Sequence, residues 1–415
     1  MKFGQLFEGY FGMTVIATAG MGVSMLLSYL FHVVMVRMLP PMEYGDLATI
    51  VAFMVIISMP VMSVQGLISR EIVKLEKKGR TGEAESVVRR YVRKSLFLGA
   101  LVSIVLSALT LIALGFSPFS VAVVVVIFSI PFAYGAAIVN GYFQGKEKIV
   151  HLSVLTNLPP AIKLLISVVL VYFGLGMVGA TLSFPLGYMA VLVPVALYFG
   201  WLAGDGKGTK LDIKNSFVRI LSTNILMIVF IYLDLFVVRL ILGAEPAAYY
   251  NTAGITAKIP FYVGNAAIFV LLPQVSKLTF KDGNELLKRF LMSLAFIVPF
   301  APLFVFLAHP LLSFFYSQLY ADMAYGAFGI LTIAMVIFSA GNFLVNILWS
   351  QRKETFPLIL SAAIIPVHLA LLYYLVPLNG LAGAATATLA ASVIFFAASA
   401  IAAIYYSLNY KQVVK

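Results

Sequence analysis

The sequence predicts an all-α membrane protein of about twelve transmembrane helices, arranged as two parallel-repeat six-helix bundles with both termini cytoplasmic. Three observations carry that reading: an apolar composition, basic residues that fall on alternate connections, and an internal repeat. Of 415 residues, 62% are hydrophobic and 11% are charged, with a mean hydropathy of +1.03. A soluble chain of this length needs more polar surface to cover its core, so lipid is the expected solvent. In a soluble protein the net charge of +12 would suggest nucleic acid. Here no nucleic-acid partner is expected, because the placement of the charges matters more than their sum. Cysteine is absent, which excludes disulfides and thiolate metal sites, and no metal site is expected. The first apolar run is too long for a secretory leader and lacks a small-residue cleavage site, so no signal peptide is expected.

Runs of ~20 apolar residues cross a bilayer as helices because every backbone group then bonds within its own segment. Six such runs fall at 11–39, 46–69, 95–115, 119–142, 150–173 and 178–201. Six more fall at 217–242, 247–272, 290–312, 323–349, 356–377 and 381–406. The expected domains are therefore an N-terminal bundle, 1–205, and a C-terminal bundle, 206–415.

Orientation follows from the basic residues. The termini and the connections after even-numbered spans hold 24 of the 28 lysines and arginines. The opposite connections are short and hold only acids, Glu43, Asp46, Glu245 and Asp322. Basic loops stay on the cytoplasmic side, which sets the topology of a multi-pass protein in the cell (inner, cytoplasmic) membrane. The longest connection, 70–94, carries nine bases and four acids. It is expected to be a solvated helix along the anionic inner leaflet, so membrane lipids are expected partners.

The two halves resemble each other at an offset of roughly 200 residues. Gln144-Gly-Lys146-Glu147 leads into span five, and Gln351-Arg-Lys353-Glu354 leads into span eleven. Gly176-Met-Val-Gly179-Ala180 opens span six, and Gly380-Leu-Ala-Gly383-Ala384 opens span twelve. Val87-Val-Arg-Arg-Tyr91 precedes span three, and Leu286-Leu-Lys-Arg-Phe290 precedes span nine. An even span count per half gives both halves the same orientation, a parallel repeat about the membrane normal. Such symmetry is expected to place a substrate site between the bundles and favours a transporter over a channel.

Val33-Val-Met-Val-Arg37-Met-Leu-Pro-Pro-Met-Glu43-Tyr44-Gly45 resembles the end of span one in one transporter group. That group is the polysaccharide-transporter (oligosaccharide flippase) branch of the multidrug/oligosaccharidyl-lipid/polysaccharide exporter superfamily. Tyr232-Leu-Asp234-Leu-Phe-Val-Val-Arg239-Leu-Ile-Leu-Gly243, followed by Ala248-Tyr-Tyr250-Asn-Thr-Ala253, resembles its span-seven hairpin. The resemblance covers essentially the whole chain. It implies flipping of lipid-linked oligosaccharides for envelope or glycan assembly, with glycan-assembly enzymes as partners and no cofactor beyond an ion gradient.

Four bases and one acid remain inside the spans: Arg37, Lys163, Arg239 and Lys258, and Asp234. A charge at membrane depth costs about 3 kcal/mol on insertion scales and marks a functional site by default. Arg37 and Arg239 lie near span ends, where their long stems can snorkel toward Glu43, Asp46 or Glu245. Lys163 and Lys258 are central, beside Pro159-Pro160 and Pro260, whose missing donors loosen the backbone around a cavity. All four are expected to meet substrate. Asp234 and Lys258 lie at similar distances from the turn at Glu245, so an ion pair is expected, either structural or coupled to an ion. Asn224, Asn140 and His32 are secondary polar candidates, and Asn157 and Gln65 are further buried polar groups; interhelical bonding is the ordinary role for each. The aromatic cluster of Tyr249, Tyr250, Phe314, Phe315, Tyr316 and Tyr320 is expected either to form an interfacial belt or to stack on sugar.

Three functions fit a chain of this kind. A membrane glycosyltransferase or polymerase needs catalytic residues on large outer loops, which are missing here, so an enzyme is not expected. A cation-coupled multidrug antiporter of the same superfamily needs acids in its cavity. A flippase of an anionic lipid-linked oligosaccharide, working by alternating access, fits the excess of buried bases.

Overall fold

The computed structural model describes residues 10–199, 215–275, 278 and 282–413; the expected domain boundary at 205/206 lies outside them. The chain divides into two compact units, Met1–Ile213 and Lys214–Lys415. Every regular element among the described residues is helical.

The first unit contains α1 (Tyr10–Met38), α2 (Pro41–Lys77), α3 (Thr81–Leu114), α4 (Pro118–Ile127) and α5 (Ile130–Gly145). It continues with α6 (Ile149–Leu170), a π-helical turn (Val171–Leu175) and α7 (Gly176–Phe199). Helices α4 and α5 form a single crossing, interrupted where Pro131 removes a backbone donor. Six crossings result. The second unit contains α8 (Asn215–Leu242), α9 (Ala244–Ala257), α10 (Ile259–Val275), α11 (Gly283–Ile297) and α12 (Phe300–Phe306). Helices α13 (Ala308–Phe315), α14 (Gln318–Ser350) and α15 (Thr355–Val413) complete it. Helix α15 breaks at Gly380, and its two arms are crossings eleven and twelve.

Nine stretches among the described residues are long and apolar enough to cross a membrane. Two of them, Ile149–Val195 and Thr355–Leu408, each contain two crossings joined at a glycine turn. The chain is an all-α, multi-pass membrane protein with about twelve spans.

Segment 70–94 differs from its expectation. It is not a separate surface helix: α2 runs on to Lys77, turns at 78–80, and α3 starts at Thr81. The polar residues stop the apolar run but not the helical period. Ile68, Ile72 and Leu75 face Ala84, Val87, Val88 and Val92, and all are buried with Tyr142 and Phe143 of α5. Glycine permits this contact: a Cβ on Gly141 would lie 2.6 Å from the Gln65 carbonyl, and one on Gly145 would lie 2.7 Å from Ile72 Cβ. At the end of α5, Lys146 lies 3.4 Å from Glu76 and 5.0 Å from the Tyr142 ring. Burial opposes its charge, but Tyr142 and Glu76 outweigh that and hold its pKa above the ordinary lysine value.

The backbone repeats more faithfully than the sequence. Glu147 and Arg352 both adopt left-handed φ, 56° and 59°, where α5 and α14 end. The bonds around them match: Lys148 N to Phe143 O at 3.0 Å, and Lys353 N to Leu348 O at 2.9 Å. These are Schellman-type caps that bind the last carbonyls of each helix. They pair Glu147 with Arg352, so the matching Gln-x-Lys-Glu quartets are two residues out of register. Gly176 (φ 53°, ψ −142°) and Gly380 (φ 56°, ψ −134°) open crossings six and twelve in the same conformation. The π-helical turn absorbs the one residue by which α6 exceeds the first arm of α15.

Because the chain has no cysteine, its topology is directly testable. Single cysteines at Lys78 and Asp282 are expected to react with an impermeant maleimide only from the cytoplasm, and those at Phe116 and Asp322 only from outside. Mixed labelling would contradict the orientation.

Candidate functional site

In the first unit, Lys163 projects from α6 between two rings. Its Nζ lies 4.1 Å from the Phe31 centroid and 4.9 Å from that of Phe184. The rings themselves meet edge-to-face at 5.9 Å. Contrary to expectation, α6 continues through Pro159 and Pro160 rather than breaking. Gly187 of α7 packs there, and a Cβ on it would come 2.9 Å from the Pro159 carbonyl. A cation over ring faces recovers about 0.5–2 kcal/mol, less than the cost of leaving water.

In the second unit, Lys258 occupies the junction of α9 and α10, where Pro260 prevents a continuous helix. The residue is 5% exposed, and its Nζ lies 3.8 Å from the Tyr232 centroid. Among the described residues, neither Lys163 nor Lys258 forms an ion pair within 4.0 Å. The expected Asp234–Lys258 bridge is therefore absent. Asp234 instead accepts hydrogen bonds from Tyr250 Oη (2.7 Å), Thr388 Oγ1 (3.2 Å) and Leu235 N (2.8 Å). Neutral donors take the carboxylate oxygens, and the Lys258 ammonium sits over the Tyr232 ring instead.

The remaining candidates are dispersed. Arg37 and Arg239 stand in the last turns of α1 and α8, where a cation favourably faces the helix dipole. Two of the acids proposed as their partners have other bonds: Glu43 Oε2 accepts from Met177 N (2.9 Å), and Glu245 Oε1 from Tyr249 Oη (2.7 Å). His32 Nδ1 lies 3.1 Å from Tyr44 Oη. Asn140 Oδ1 and Asn157 Oδ1 are buried without a partner. Gln65 Nε2 donates to Gln144 Oε1 at 3.0 Å, and Asn224 makes no such bond among the described residues. Of the aromatic cluster, Tyr249, Tyr250, Tyr316 and Tyr320 are buried, so they form neither a lipid belt nor a sugar platform. Phe314 alone is strongly exposed, at 74%.

Two residues outside the sequence-based candidates join the second site. His368 is wholly buried on the first arm of α15, and its Nε2 lies 3.1 Å from Thr388 Oγ1. The repeat explains their position. Lys163 and His368 each follow their left-handed turn, at Glu147 and Arg352, by sixteen residues; Phe184 and Thr388 each follow their glycine by eight. One pair of positions thus holds a cation over a ring in the first unit and an imidazole beside a hydroxyl in the second. The Gly-x-x-Gly-Ala motif supplied the register that locates them.

The architecture is that of transporters of the MOP superfamily. An outward-facing MATE multidrug resistance transporter of that superfamily shares it with TM-score 0.63 at 15% identity, covering 99% of both chains. An inward-facing MATE transporter gives 0.69 at 14%, covering 94% of this chain and 98% of that one. A MOP transporter from Pyrococcus furiosus, distinguished by reverse polarity of its binding pocket, gives 0.64 at 14% identity, covering 100% and 99%. No curated protein matches. Residues 12–279 match the polysaccharide biosynthesis protein family, and the chain belongs to that family.

Proposed function

We propose that the protein flips an anionic, phosphate-bearing lipid-linked oligosaccharide across the cytoplasmic membrane by alternating access. The observation that carries this reading is one membrane-depth lysine per unit, each held against aromatic faces and neither contacting a carboxylate among the described residues. Such cations need an anion, and a sugar phosphate brings one. Lys163 and Lys258 replace water around the phosphates and lower the desolvation cost of crossing, while the lipid tail remains in the bilayer. Arg37 and Arg239, at the ends of their helices, meet the headgroup on arrival or departure. Family membership supports a glycan substrate and glycan-assembly enzymes as partners.

Multidrug antiport is the competing reading, favoured by the MATE structures and by Asp234 as a buried acid. Vesicles containing the purified protein separate the two. A fluorescent polyprenyl-pyrophosphate oligosaccharide is expected to exchange between leaflets, with no uptake of a cationic dye under an imposed proton or sodium gradient. Dye uptake without glycan exchange would replace the flippase with the antiporter.

A further inference from the structure

We propose that the outer turns of the first unit form a sugar-binding cavity, which takes an uncharged hexose of the glycan on the outer face. This site deepens the flippase reading and rests on it for the identity of the ligand. The basic residues place three connections of that unit outside: α1–α2, α3–α4 and α6–α7. All three converge on one cavity of about 490 Å³. That volume lies within the range of small-molecule sites, which are mostly apolar with a few placed polar groups. Met42 and Phe119 supply apolar wall, and Glu43, Asp46 and Ser117 supply polar groups. Gly174 leaves room beside them, since a Cβ on it would meet nothing within 4 Å.

Local structure decides what those groups can hold. Helices α2, α4 and α7 start here, at Pro41, Pro118 and Gly176. A helix start presents backbone N–H groups and about half a positive charge. Glu43 and Asp46, one turn apart on α2, set two carboxylates against those three ends. Glu43 Oε2 accepts from Met177 N at 2.9 Å, which fixes that carboxylate at the start of α7. At the start of α4, Ser117 Oγ accepts from Ser120 N, and Ser120 Oγ accepts from Ser117 N. The wall therefore mixes donors with acceptors and largely offsets its charges, and no lysine or arginine lines it.

A hydroxyl both donates and accepts, so a sugar ring matches such a wall on both counts. A phosphate only accepts, and the two carboxylates repel it. A simple cation only donates, and it leaves the apolar wall uncovered. The C–H face of a hexose is apolar and covers Met42 and Phe119 in the same pose. The first unit thereby treats the two ends of a headgroup differently. Lys163 at membrane depth attracts the phosphate, whereas the outer cavity rejects phosphate and holds sugar. A crossing headgroup is held with its sugars outward and its phosphate nearer the lipid.

The test uses a single reporter. The chain has no cysteine, so Met42→Cys, at a lining position that is 65% exposed, takes one trifluoromethyl thiol label. The labelled full-length protein in lipid nanodiscs is titrated with neutral tetrasaccharides of glucose, galactose, mannose and N-acetylglucosamine, and followed by fluorine NMR. At least one is expected to give a saturable shift with a Kd of about 2 mM, the ligand efficiency of one hexose ring. Tetragalacturonate, with a carboxylate on every ring, is expected to give none over the same range. Asp46→Asn in the reporter background should weaken binding about tenfold, the loss of one charged acceptor. The same label at Asp322→Cys, in the second unit, should not shift. The proposal is overturned if no neutral sugar gives a saturable shift, if the Asp322→Cys label shifts equally, or if Asp46→Asn binds as its parent does. A reporter that shifts with calcium and not with sugar would also overturn it. Binding here needs neither lipid nor transport. Flipping without a shift would therefore remove this site and leave the flippase, and a shift without flipping would do the reverse.

Discussion

Alanine at Gly380 is expected to destabilise the protein by about 1–3 kcal/mol, and alanine at Gly176 by about 1 kcal/mol more. Both glycines combine positive φ with strongly negative ψ, a conformation that a Cβ makes strained. At Gly380 an added Cβ would meet nothing within 4 Å, so its cost is that of the backbone alone. At Gly176 the Cβ would lie 2.6 Å from Glu43 Oε2. That carboxylate can swing away, but only by releasing Met177 N, one of the free donors at the start of α7. Glu43→Ala should reproduce the second increment without the first. Thermal melting of detergent-solubilised variants measures all three. Equal losses at the two glycines would show that the cap contributes nothing, and unchanged melting at Gly380 would contradict the strained turn.

Sequence and structure agree where the physics is local. Apolar runs located the crossings because lipid forces every backbone bond inside its own helix. The Gly-x-x-Gly-Ala motif located both turns because only glycine adopts that conformation cheaply. Helical extension beyond the membrane was also legible, in the spacing of Ile68, Ile72 and Leu75, but the charges between them masked the period. The two proline sites gave opposite results: Pro260 accompanies a break, whereas Pro159-Pro160 lie within a continuing helix. Proline removes donors in both cases, and tertiary packing decides whether the helix continues.

The site was legible by charge and not by contact. Lys163, Lys258 and Asp234 stood out because a charge in an apolar run is conspicuous. Their partners are neutral and distant in sequence: Phe31, Phe184, Tyr232 and Thr388 carry no local signal. The hydroxyls of Tyr250 and of Thr388, the latter 154 residues from Asp234, take the place of the expected ion pair. His368 looks like an isolated polar residue until the repeat register makes it the equivalent of Lys163 in the other unit.

If Lys163 and Lys258 act as cations toward an anionic headgroup, transport requires their charge. Removing one charged hydrogen-bond donor from a phosphate costs about 1.5–3 kcal/mol, or about tenfold or more in rate or affinity. Lys163→Ala with Lys258→Ala should therefore reduce flipping about a hundredfold or more. Protein levels should stay near normal, because removing a membrane-depth charge that contacts no counter-ion among the described residues also removes its desolvation penalty. Lys→Arg at both positions keeps the charge and should retain measurable transport. The deciding measurement is the exchange rate of a fluorescent polyprenyl-pyrophosphate oligosaccharide in vesicles, compared among wild type, the double alanine and the double arginine variants. Loss in the alanine variant with recovery in the arginine variant is the predicted result; flipping at the wild-type rate by a well-folded double alanine variant would contradict the account.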